Sequence, residues 1–306
     1  MEPFFIVGPT AAGKSELAAE IAYQLGAEIV SADAFQIYRG LDLLSAKPEN
    51  VILGKVPHHL LGVVPLNEEM NVEKFRAAAT TAIREIQARN KPVIVVGGSG
   101  LYVKALTEGL SRLPPADQTL RAELNGLSLD ELQKRLANLD PEALGKIDLK
   151  NRRRVTRAVE ICLLTGKPVS EQRHNGADRH GSAAIATPHG FFVFHDRTEL
   201  YQRINRRVEM MFSKGVVEEV RDLEDVGLTA QKMLGLKEIW AFLAGEISED
   251  ECIATIQQAA RRYAKRQLTW FGRQHNFTAL NLSSHAYLQA IESIAHAARL
   301  AFAPNG

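Results

Sequence analysis

The sequence predicts an α/β fold: a parallel β-sheet core with an inserted helical domain and a helical C-terminal region. Short apolar runs alternate with amphipathic helical patterns through the first third of the chain, as in sheets built from strand–helix–strand units. After a Pro-Pro pair at residues 114–115, only helical periodicity follows, as far as residue 166. The 306 residues, 45% hydrophobic and 24% charged, are enough for one large domain or two smaller ones.

The first predicted strand, residues 4–7, is followed by the pattern Gly-x4-Gly-Lys-Ser and then by apolar residues at helical spacing. This context predicts a P-loop, in which backbone N–H groups and a helix N-terminus surround a phosphate, and hence a P-loop NTPase-like core. Lys14 would neutralise charge, and the Ser15 hydroxyl would be a ligand of Mg²⁺. The loop consists of Gly8, Pro9, Thr10, Ala11, Ala12, Gly13, Lys14 and Ser15.

Three later segments are predicted to be strands: residues 28–31 as a second short strand, and the apolar runs 92–96 and 190–194 as buried strands. An amphipathic helix is predicted over residues 72–86. In an open parallel sheet, ligands collect at the carboxyl ends of the strands. The P-loop and the segments 31–38 and 97–102 follow three of the strands, and we expect them to face one crevice.

The domain organisation follows from where the pattern changes. Residues 173–189, rich in His, Gly, Ala and Ser, are predicted to be an irregular linker, and the chain from residue 198 onward is mostly helical in pattern. We therefore expect a catalytic core made of residues 1–111 and 190–306, with residues 112–189 as a helical insertion.

Asp33 follows the second predicted strand, beside the P-loop. A carboxylate in this place has two common functions, as an outer-shell ligand of Mg²⁺ or as a general base for an acceptor group. A third interpretation is structural, because Asp is favoured at a helix N-cap. Position alone leaves all three open.

Composition and charge describe a soluble globular protein. No apolar run approaches the ~20 residues needed to span a bilayer, and no signal-peptide leader is evident, so we expect a cytoplasmic protein. The cysteines, Cys162 and Cys252, lie in apolar helical patterns typical of core packing. A net charge of +1 argues against a uniformly basic surface, yet residues 150–157 and 261–266 are densely cationic and are either solvated helix faces or RNA contacts.

Further motifs follow the P-loop in a specific order, at residues 31–42, 45–48, 57–60, 97–102, 140–141, 154–160, 165–168, 200–210 and 265–271. Each is weak alone, but in this order and spacing they resemble the tRNA dimethylallyltransferases, also called tRNA isopentenyltransferases, in their bacterial-type short form without a C-terminal zinc module. The resemblance implies transfer of a dimethylallyl group from dimethylallyl diphosphate to the exocyclic N6 amine of the adenosine 3′-adjacent to the anticodon. It implies tRNA as the partner, Mg²⁺ as the cofactor, and a monomer with no obligate protein partner.

The resemblance also implies roles for individual residues. The P-loop would hold the diphosphate, with Lys14 and Thr10 as donors and Arg207 as a further contact, and Asp33 would accept a proton from the adenine amine. The insertion would close over the anticodon stem-loop. The implied tRNA contacts are Asp33, Ala34, Phe35, Gln36, Ser99, Arg121, Arg153, Arg154, Val155, Thr156, Arg157, Gln231, Lys232, Met233, Leu234, Gly235, Leu236, Lys265, Arg266, Gln267, Leu268, Thr269, Trp270, Phe271 and Gly272.

Four positions depart from the family pattern. Ser45 and Ser99 stand where the family usually has Thr and keep a hydroxyl, whereas Ala34 and Leu236 replace Ser and Tyr and lose one. Three other functions compete: an isopentenyltransferase acting on free adenine nucleotides, a small-molecule kinase, and a non-catalytic RNA-binding module. Core or interface packing is favoured over stacking on bases for the aromatic residues Tyr38, Tyr102, Trp270 and Phe271. A structural or hydrogen-bonding role is favoured over metal binding for His58 and His59.

Overall fold

The computed structural model describes residues 1–110, 113–174 and 189–303. The chain forms two compact units, which we call the core unit (Met1–Thr107 and Ile185–Gly306) and the helical unit (Glu108–Ala184). Of the predicted irregular linker, residues 173–189, only the ends are described: residues 173–174 end a helix and His189 begins a strand, whereas residues 175–188 lie outside the described residues. Residues 111–112, at the predicted start of the insertion, also lie outside them, and the domain bounds stay predictions.

The core unit is built on one parallel sheet of β1 (Phe4–Val7), β2 (Glu28–Ser31), β3 (His58–His59), β4 (Val93–Gly97), β5 (His189–Phe194) and β6 (Thr278–Asn281). The strand order is β3-β2-β4-β1-β5-β6, so β1 lies inside the sheet between β4 and β5. Every pairing is parallel, which puts the carboxyl ends of all strands at one edge. The predicted α/β class with a parallel sheet core is confirmed.

Helices connect and cover these strands. In chain order they are α1 (Lys14–Leu25), α2 (Asn50–Leu53), α3 (Val72–Ala88), α4 (Gly100–Thr107), α5 (Gln118–Gly126), α6 (Leu129–Leu139), α7 (Arg152–Thr165), α8 (Val169–His174), α9 (Arg197–Ser213), α10 (Val216–Arg221), α11 (Leu236–Leu243), α12 (Glu249–Phe271) and α13 (Tyr287–Phe302). Helices α5 to α8 belong to the helical unit. Across the described ranges, no helix is both long and apolar enough to cross a bilayer.

Both faces of the sheet are buried, as expected for parallel strands. On one face, Phe75 and Tyr102 stack with ring centroids 3.9 Å apart, and Phe271 is 1% exposed. On the other face, α1 and α13 pack against the strands through residues such as Leu17 and Ile294. Tyr38, Tyr102 and Phe271 are therefore core residues, as the sequence favoured, and Trp270 packs edge-on against Phe271.

The helical unit has its own apolar core. Leu124, Leu132, Leu136, Val155 and Val159 are fully buried on α5, α6 and α7. Helix α6 begins at a reciprocal capping box, in which the Ser128 hydroxyl and the Glu131 carboxylate each satisfy the other residue's backbone N–H. The exclusively helical pattern predicted for residues 116–166 is thus seen.

Two short strands, β3 and β6, were not predicted. β3 has only two residues, and β6 buries only Leu280, so neither gives an apolar run or a long alternation. The histidines of β3 have structural partners. His59 Nε2 lies 2.7 Å from Glu28 Oε2, and His58 Nδ1 lies 2.8 Å from the Val56 carbonyl. Both predicted core cysteines, Cys162 and Cys252, are buried free thiols.

Candidate active site

The P-loop runs from the end of β1 to the start of α1, and its two glycines are sterically required. A Cβ on Gly8 would lie 2.1 Å from the Val193 carbonyl oxygen of β5. Gly13 has φ +79° and precedes the first residue of α1 in the left-handed region, where side chains are strained. The loop is therefore held against β5 and turned so that the N-terminus of α1 faces the strand ends, where an anion would bind.

Lys14 closes over this loop. Its ammonium Nζ donates to the Pro9 carbonyl at 2.6 Å. Burial lowers the pKa of Lys14 to about 8, Asp33 and Glu16 raise it, and the charge of Arg207 lowers it further. A partly buried ammonium with no carboxylate at ion-pair distance among the described residues is stabilised by an incoming anion.

Arg207, on α9, reaches the same loop. Its Nη1 donates to the Thr10 hydroxyl at 2.9 Å. Burial lowers the pKa of this guanidinium, and the charges of Asp33 and Glu16 oppose that shift. The structure thus brings together three of the predicted diphosphate residues, Thr10, Lys14 and Arg207.

Sequence analysis missed a second arginine at the loop. Arg203 Nε donates to the Ala11 carbonyl at 3.0 Å, and a Cβ on Gly13 would lie 3.3 Å from its Nη2. Glu199, one turn earlier on α9, lies 3.8 Å from Arg203 Nη1. The signal available in the sequence is the i, i+4 spacing of Glu199, Arg203 and Arg207 along one helix face.

Glu199 is the centre of a small polar cluster beside the P-loop. His195 Nδ1 lies 3.0 Å from Glu199 Oε1, and the Ser283 hydroxyl donates to Glu199 Oε2 at 2.6 Å. Burial and the charge of Arg203 lower the pKa of His195, whereas Glu199 and a hydrogen bond with the Ala12 backbone raise it. These contacts tie the loop to the ends of β5 and β6.

Asp33 stands at the carboxyl end of β2, two strands from β1. Its Oδ1 accepts the backbone N–H groups of Phe35 at 2.9 Å and Gln36 at 3.3 Å, so one oxygen caps a turn. The other oxygen, Oδ2, has no hydrogen-bond partner among the described residues. The capping interpretation therefore accounts for Oδ1, and Oδ2 is available to an acceptor group.

The segments after β2 and β4 are bonded to each other. Ala34 N–H donates to the Ser99 hydroxyl at 3.0 Å, and Ser99 N–H donates to the Ala32 carbonyl at 3.3 Å. Burial raises the pKa of Tyr263 to about 12, with a further contribution from the charge of Asp33, while hydrogen bonds to Ser99 and Gln267 oppose the shift. Tyr263, which was not predicted from the sequence, thus lies beside Ser99 and Asp33.

Gln36 uses its own amide within the protein. Its Oε1 accepts from the Ser31 hydroxyl at 3.3 Å, and its Nε2 donates to the Ala46 carbonyl at 2.9 Å. Phe35 is half-buried and packs against the cluster around Leu41 and Leu44. Both side chains are therefore fixed in orientation beside Asp33.

The two predicted tRNA segments of the core unit are only partly exposed. In residues 231–236, Lys232 is exposed, Gln231 and Leu234 are half-buried, and Met233, Gly235 and Leu236 are buried. In residues 265–272, Lys265, Arg266, Thr269 and Gly272 are exposed, Leu268 and Trp270 are half-buried, and Gln267 and Phe271 are buried. In both segments, therefore, only the exposed and half-buried side chains are accessible to a bound RNA.

In the helical unit, the predicted basic residues divide into two kinds. Glu160 is fully buried, and its carboxylate accepts from Arg121 Nε at 2.9 Å, Arg121 Nη2 at 3.1 Å, Arg157 Nη1 at 2.6 Å and the Asp117 N–H at 3.0 Å. Arg153 and Arg154 are exposed, whereas Val155 and Thr156 are buried. Arg121 and Arg157 thus bind a carboxylate of the protein, which sequence reasoning did not foresee.

No cluster of three or more His, Cys, Asp or Glu side chains that could hold a metal ion is found in the described part of the chain. Mg²⁺ in phosphate sites commonly uses one or two protein ligands together with phosphate oxygens and water. The Ser15 hydroxyl, on the first turn of α1 and half-buried, is a donor of the kind that such a site requires.

Comparison with known proteins agrees with the motifs. The model of the family described as IPP transferase matches residues 36–274. A tRNA dimethylallyltransferase 1 of Citrifermentans bemidjiense is 44% identical over 275 residues, covering 88% of each chain. A tRNA dimethylallyltransferase of Geobacter sulfurreducens is 44% identical over 276 residues, covering 87% of each chain.

Solved structures share the fold. The crystal structure of the full-length tRNA isopentenylpyrophosphate transferase from Bacillus halodurans is 34% identical, with a TM-score of 0.69 over 97% of this chain and 95% of that one. A eukaryotic dimethylallyltransferase, described as acting on tRNA, has a TM-score of 0.78 at 24% identity, covers 98% of this chain, and supports the fold alone. With the family model and these relatives covering most of its length, the chain belongs to the IPP transferase family.

Proposed function

We propose that the protein transfers a dimethylallyl group from dimethylallyl diphosphate to the N6 amine of the adenosine 3′-adjacent to the anticodon of tRNA. The observation that carries the proposal is the cationic P-loop, with Lys14 and Arg207, near enough to the partly unpaired carboxylate of Asp33 for its charge to raise the pKa of both cations. An anionic leaving group and an acceptor base would then bind at neighbouring strand ends.

The diphosphate end stabilises the leaving group. As the C–O bond of the donor breaks, negative charge grows on the bridging oxygen and the diphosphate. Lys14, Arg207 and the Thr10 hydroxyl are already placed around the loop, so they need little rearrangement to accept this charge. Both cations are partly buried, and an electrostatic interaction with an anion is stronger there than at a fully exposed position.

The acceptor end removes a proton. The N6 amine attacks the allylic carbon, the N–C bond forms as the C–O bond breaks, and one N–H proton passes to Asp33. Oδ1 holds the turn at residues 35–36, so Oδ2 is the oxygen that takes the proton. The adenine has to leave the stacked anticodon loop to reach this carboxylate.

Mg²⁺ fits this site through Ser15, whose hydroxyl would hold it together with diphosphate oxygens. When bound, the ion offsets charge on the departing diphosphate. The protein supplies the loop N–H groups, Lys14 and Arg207 in addition.

For tRNA, the exposed cations are the contacts we propose. In the helical unit these are Arg153 and Arg154, and in the core unit Lys265 and Arg266. Cations on the phosphates position an RNA loop, while side chains near the flipped base read it. Ala34, Phe35, Gln36 and Ser99, which adjoin Asp33, are placed for the second task.

The decisive experiment supplies labelled dimethylallyl diphosphate and Mg²⁺ with either unmodified tRNA or AMP, followed by nucleoside analysis. We expect label in the tRNA adenosine and none in AMP. Label in AMP alone would identify an enzyme of free nucleotides, which the names of the relatives do not favour. If neither tRNA nor AMP is labelled, prenyl transfer is rejected. The small-molecule kinase and the non-catalytic RNA-binding module then become the leading functions.

A further inference from the structure

Gln267 lies in a segment that the family resemblance assigns to tRNA contact, yet its side chain is only 5% exposed. Its Oε1 accepts from the Thr10 N–H at 2.9 Å, and its Nε2 donates to the Gly98 carbonyl at 2.9 Å. The partners fix the orientation of the amide, since a backbone N–H needs an acceptor and a carbonyl needs a donor. A single side chain on α12 therefore joins the P-loop to the turn after β4.

Each end of this bridge leads to a group of the proposed reaction. Thr10, held through its backbone N–H, presents its hydroxyl to Arg207. Gly98, held through its carbonyl, precedes Ser99, whose hydroxyl accepts from Ala34 N–H beside Asp33. The diphosphate end and the acceptor end of the crevice thus share one common support.

The bridge is tightly packed. A Cβ on Gly98 would lie 2.4 Å from Gln267 Nε2 and 2.8 Å from the Gly8 carbonyl oxygen. The Gly98 turn therefore lies in close contact with both the Gln267 amide and the P-loop. Loss of the amide would leave the Thr10 N–H and the Gly98 carbonyl unsatisfied.

We propose that Gln267 is a positioning residue, which sets the distance between the diphosphate-binding loop and the acceptor loop and does not contact tRNA. The proposal rests on the proposed function for the identity of the two ligands. It predicts that changing Gln267 weakens diphosphate binding and slows transfer, while the affinity for tRNA is unchanged.

Gln267→Leu and Gln267→Glu test this with the full-length protein. For Gln267→Leu, we expect the Kd of inorganic diphosphate, measured by calorimetry, to rise about tenfold or more, as for the loss of buried hydrogen bonds. The Kd of unmodified tRNA, measured by fluorescence anisotropy, should stay within about twofold, the size of effect expected where no contact is lost.

Gln267→Glu gives a readout that a merely structural role would not give. Its carboxylate can still accept from Thr10 N–H, but its other oxygen faces the Gly98 carbonyl and repels it unless it is protonated. Tyr263, whose hydroxyl also hydrogen-bonds to the Gln267 side chain, is the titratable group that faces this position, and burial raises the pKa of its phenol to about 12, so it stays neutral across the range tested. The ratio of variant to wild-type kcat/KM should therefore increase as the pH is lowered. Because this variant keeps the side-chain volume, it also tests the proposal if Gln267→Leu does not fold.

Gln274→Glu is the matched control, because the Gln274 side-chain amide donates to the Trp270 carbonyl of α12 at 3.2 Å and bridges no two loops among the described residues. Its activity ratio should not change with pH. A rise in the Kd of tRNA with unchanged diphosphate binding, or a pH-independent ratio for Gln267→Glu, would overturn the proposal. Diphosphate binding does not require transfer, so a wild-type protein that binds diphosphate but modifies no tRNA would reject the proposed function alone.

Discussion

Arg207 and Thr10, 197 residues apart in the sequence, are joined by a hydrogen bond of 2.9 Å from Nη1 to the threonine hydroxyl. Because the hydroxyl accepts from the guanidinium, its own proton points elsewhere and is available to a phosphate oxygen. The arginine thus contributes its charge directly and also orients a neutral donor. Removal of Arg207 should therefore remove a positive charge and also release the Thr10 hydroxyl from its orientation.

Arg207→Gln should lower kcat by ~10²-fold and raise the KM of dimethylallyl diphosphate, since a donor to the developing charge is lost. Steady-state kinetics with saturating tRNA would measure both. Arg206→Gln is the matched control, because Arg206 is an exposed neighbour on the same helix. Equal losses in the two variants would show that helix charge, and not the Thr10 contact, is responsible.

Asp33→Asn should lower kcat by ~10²- to 10⁴-fold, the usual contribution of a general base. The amide oxygen can still accept from the Phe35 and Gln36 N–H groups, so the turn and the melting temperature should be preserved. Single-turnover transfer and a thermal melt on the same preparation would check this. If the variant keeps normal turnover, Asp33 is a turn cap and not the base.

Binding of dimethylallyl diphosphate in the absence of tRNA should weaken as the pH rises through about 8, the pKa to which burial lowers Lys14. Below that pH the ammonium is charged and attracts the anion, and above it the neutral amine does not. A calorimetric titration series across this range would measure the loss. Lys14→Arg should remove the pH dependence, because a guanidinium stays charged; wild-type affinity that stays constant to pH 10 would contradict the assignment.

Glu160→Gln should destabilise the helical unit by about 2 kcal/mol, as expected when a buried acceptor of charged hydrogen bonds is weakened. The new NH₂ group would face the donors of Arg121 or Arg157. Urea unfolding followed by circular dichroism would measure the change. Glu123→Gln, at an exposed position of α5, is the control and should lower the free energy of unfolding little.

Arg154→Gln should weaken tRNA binding and reduce its salt dependence without changing stability, because Arg154 is exposed and its side chain is free of the Glu160 cluster. Arg157→Gln, three residues further along α7, should leave tRNA binding and its salt dependence nearly unchanged and should lower the melting temperature. Anisotropy at several salt concentrations and thermal melts would separate the two. A larger loss of tRNA affinity in Arg157→Gln would show that the buried pair is opened by RNA.

Local patterns explain what the sequence could predict. Strands β1, β4 and β5 contain apolar runs, β2 has Ile29 and Val30 at its centre, and the P-loop has its own Gly-x4-Gly-Lys-Ser pattern, so each is recognisable without knowledge of its partners. Strand β6 has only Leu280 buried, so its pairing with β5 is visible only after the chain has folded.

Position in the sequence predicted the site residues that act from their own loops, and the family resemblance predicted Arg207 on α9. Thr10, Lys14 and Asp33 follow from position. In contrast, the division between Arg154 and Arg157 depends on how α5 packs beside α7 and brings Arg121 to Glu160. The burial of Gln267 likewise depends on α12 crossing the P-loop, and a glutamine in an amphipathic helix gives no sequence signal of it.

The place of β5 in the sheet has a consequence for biosynthesis. β1 pairs with β4 on one side, but its other neighbour begins at His189, after the whole helical unit has been made. Until then the nascent chain presents β1 as an open edge, and Gly8 lacks the Val193 backbone against which it packs. Gln267 emerges from the ribosome later still, so a chain interrupted before α12 carries a P-loop sequence but cannot yet hold the loop in its final form.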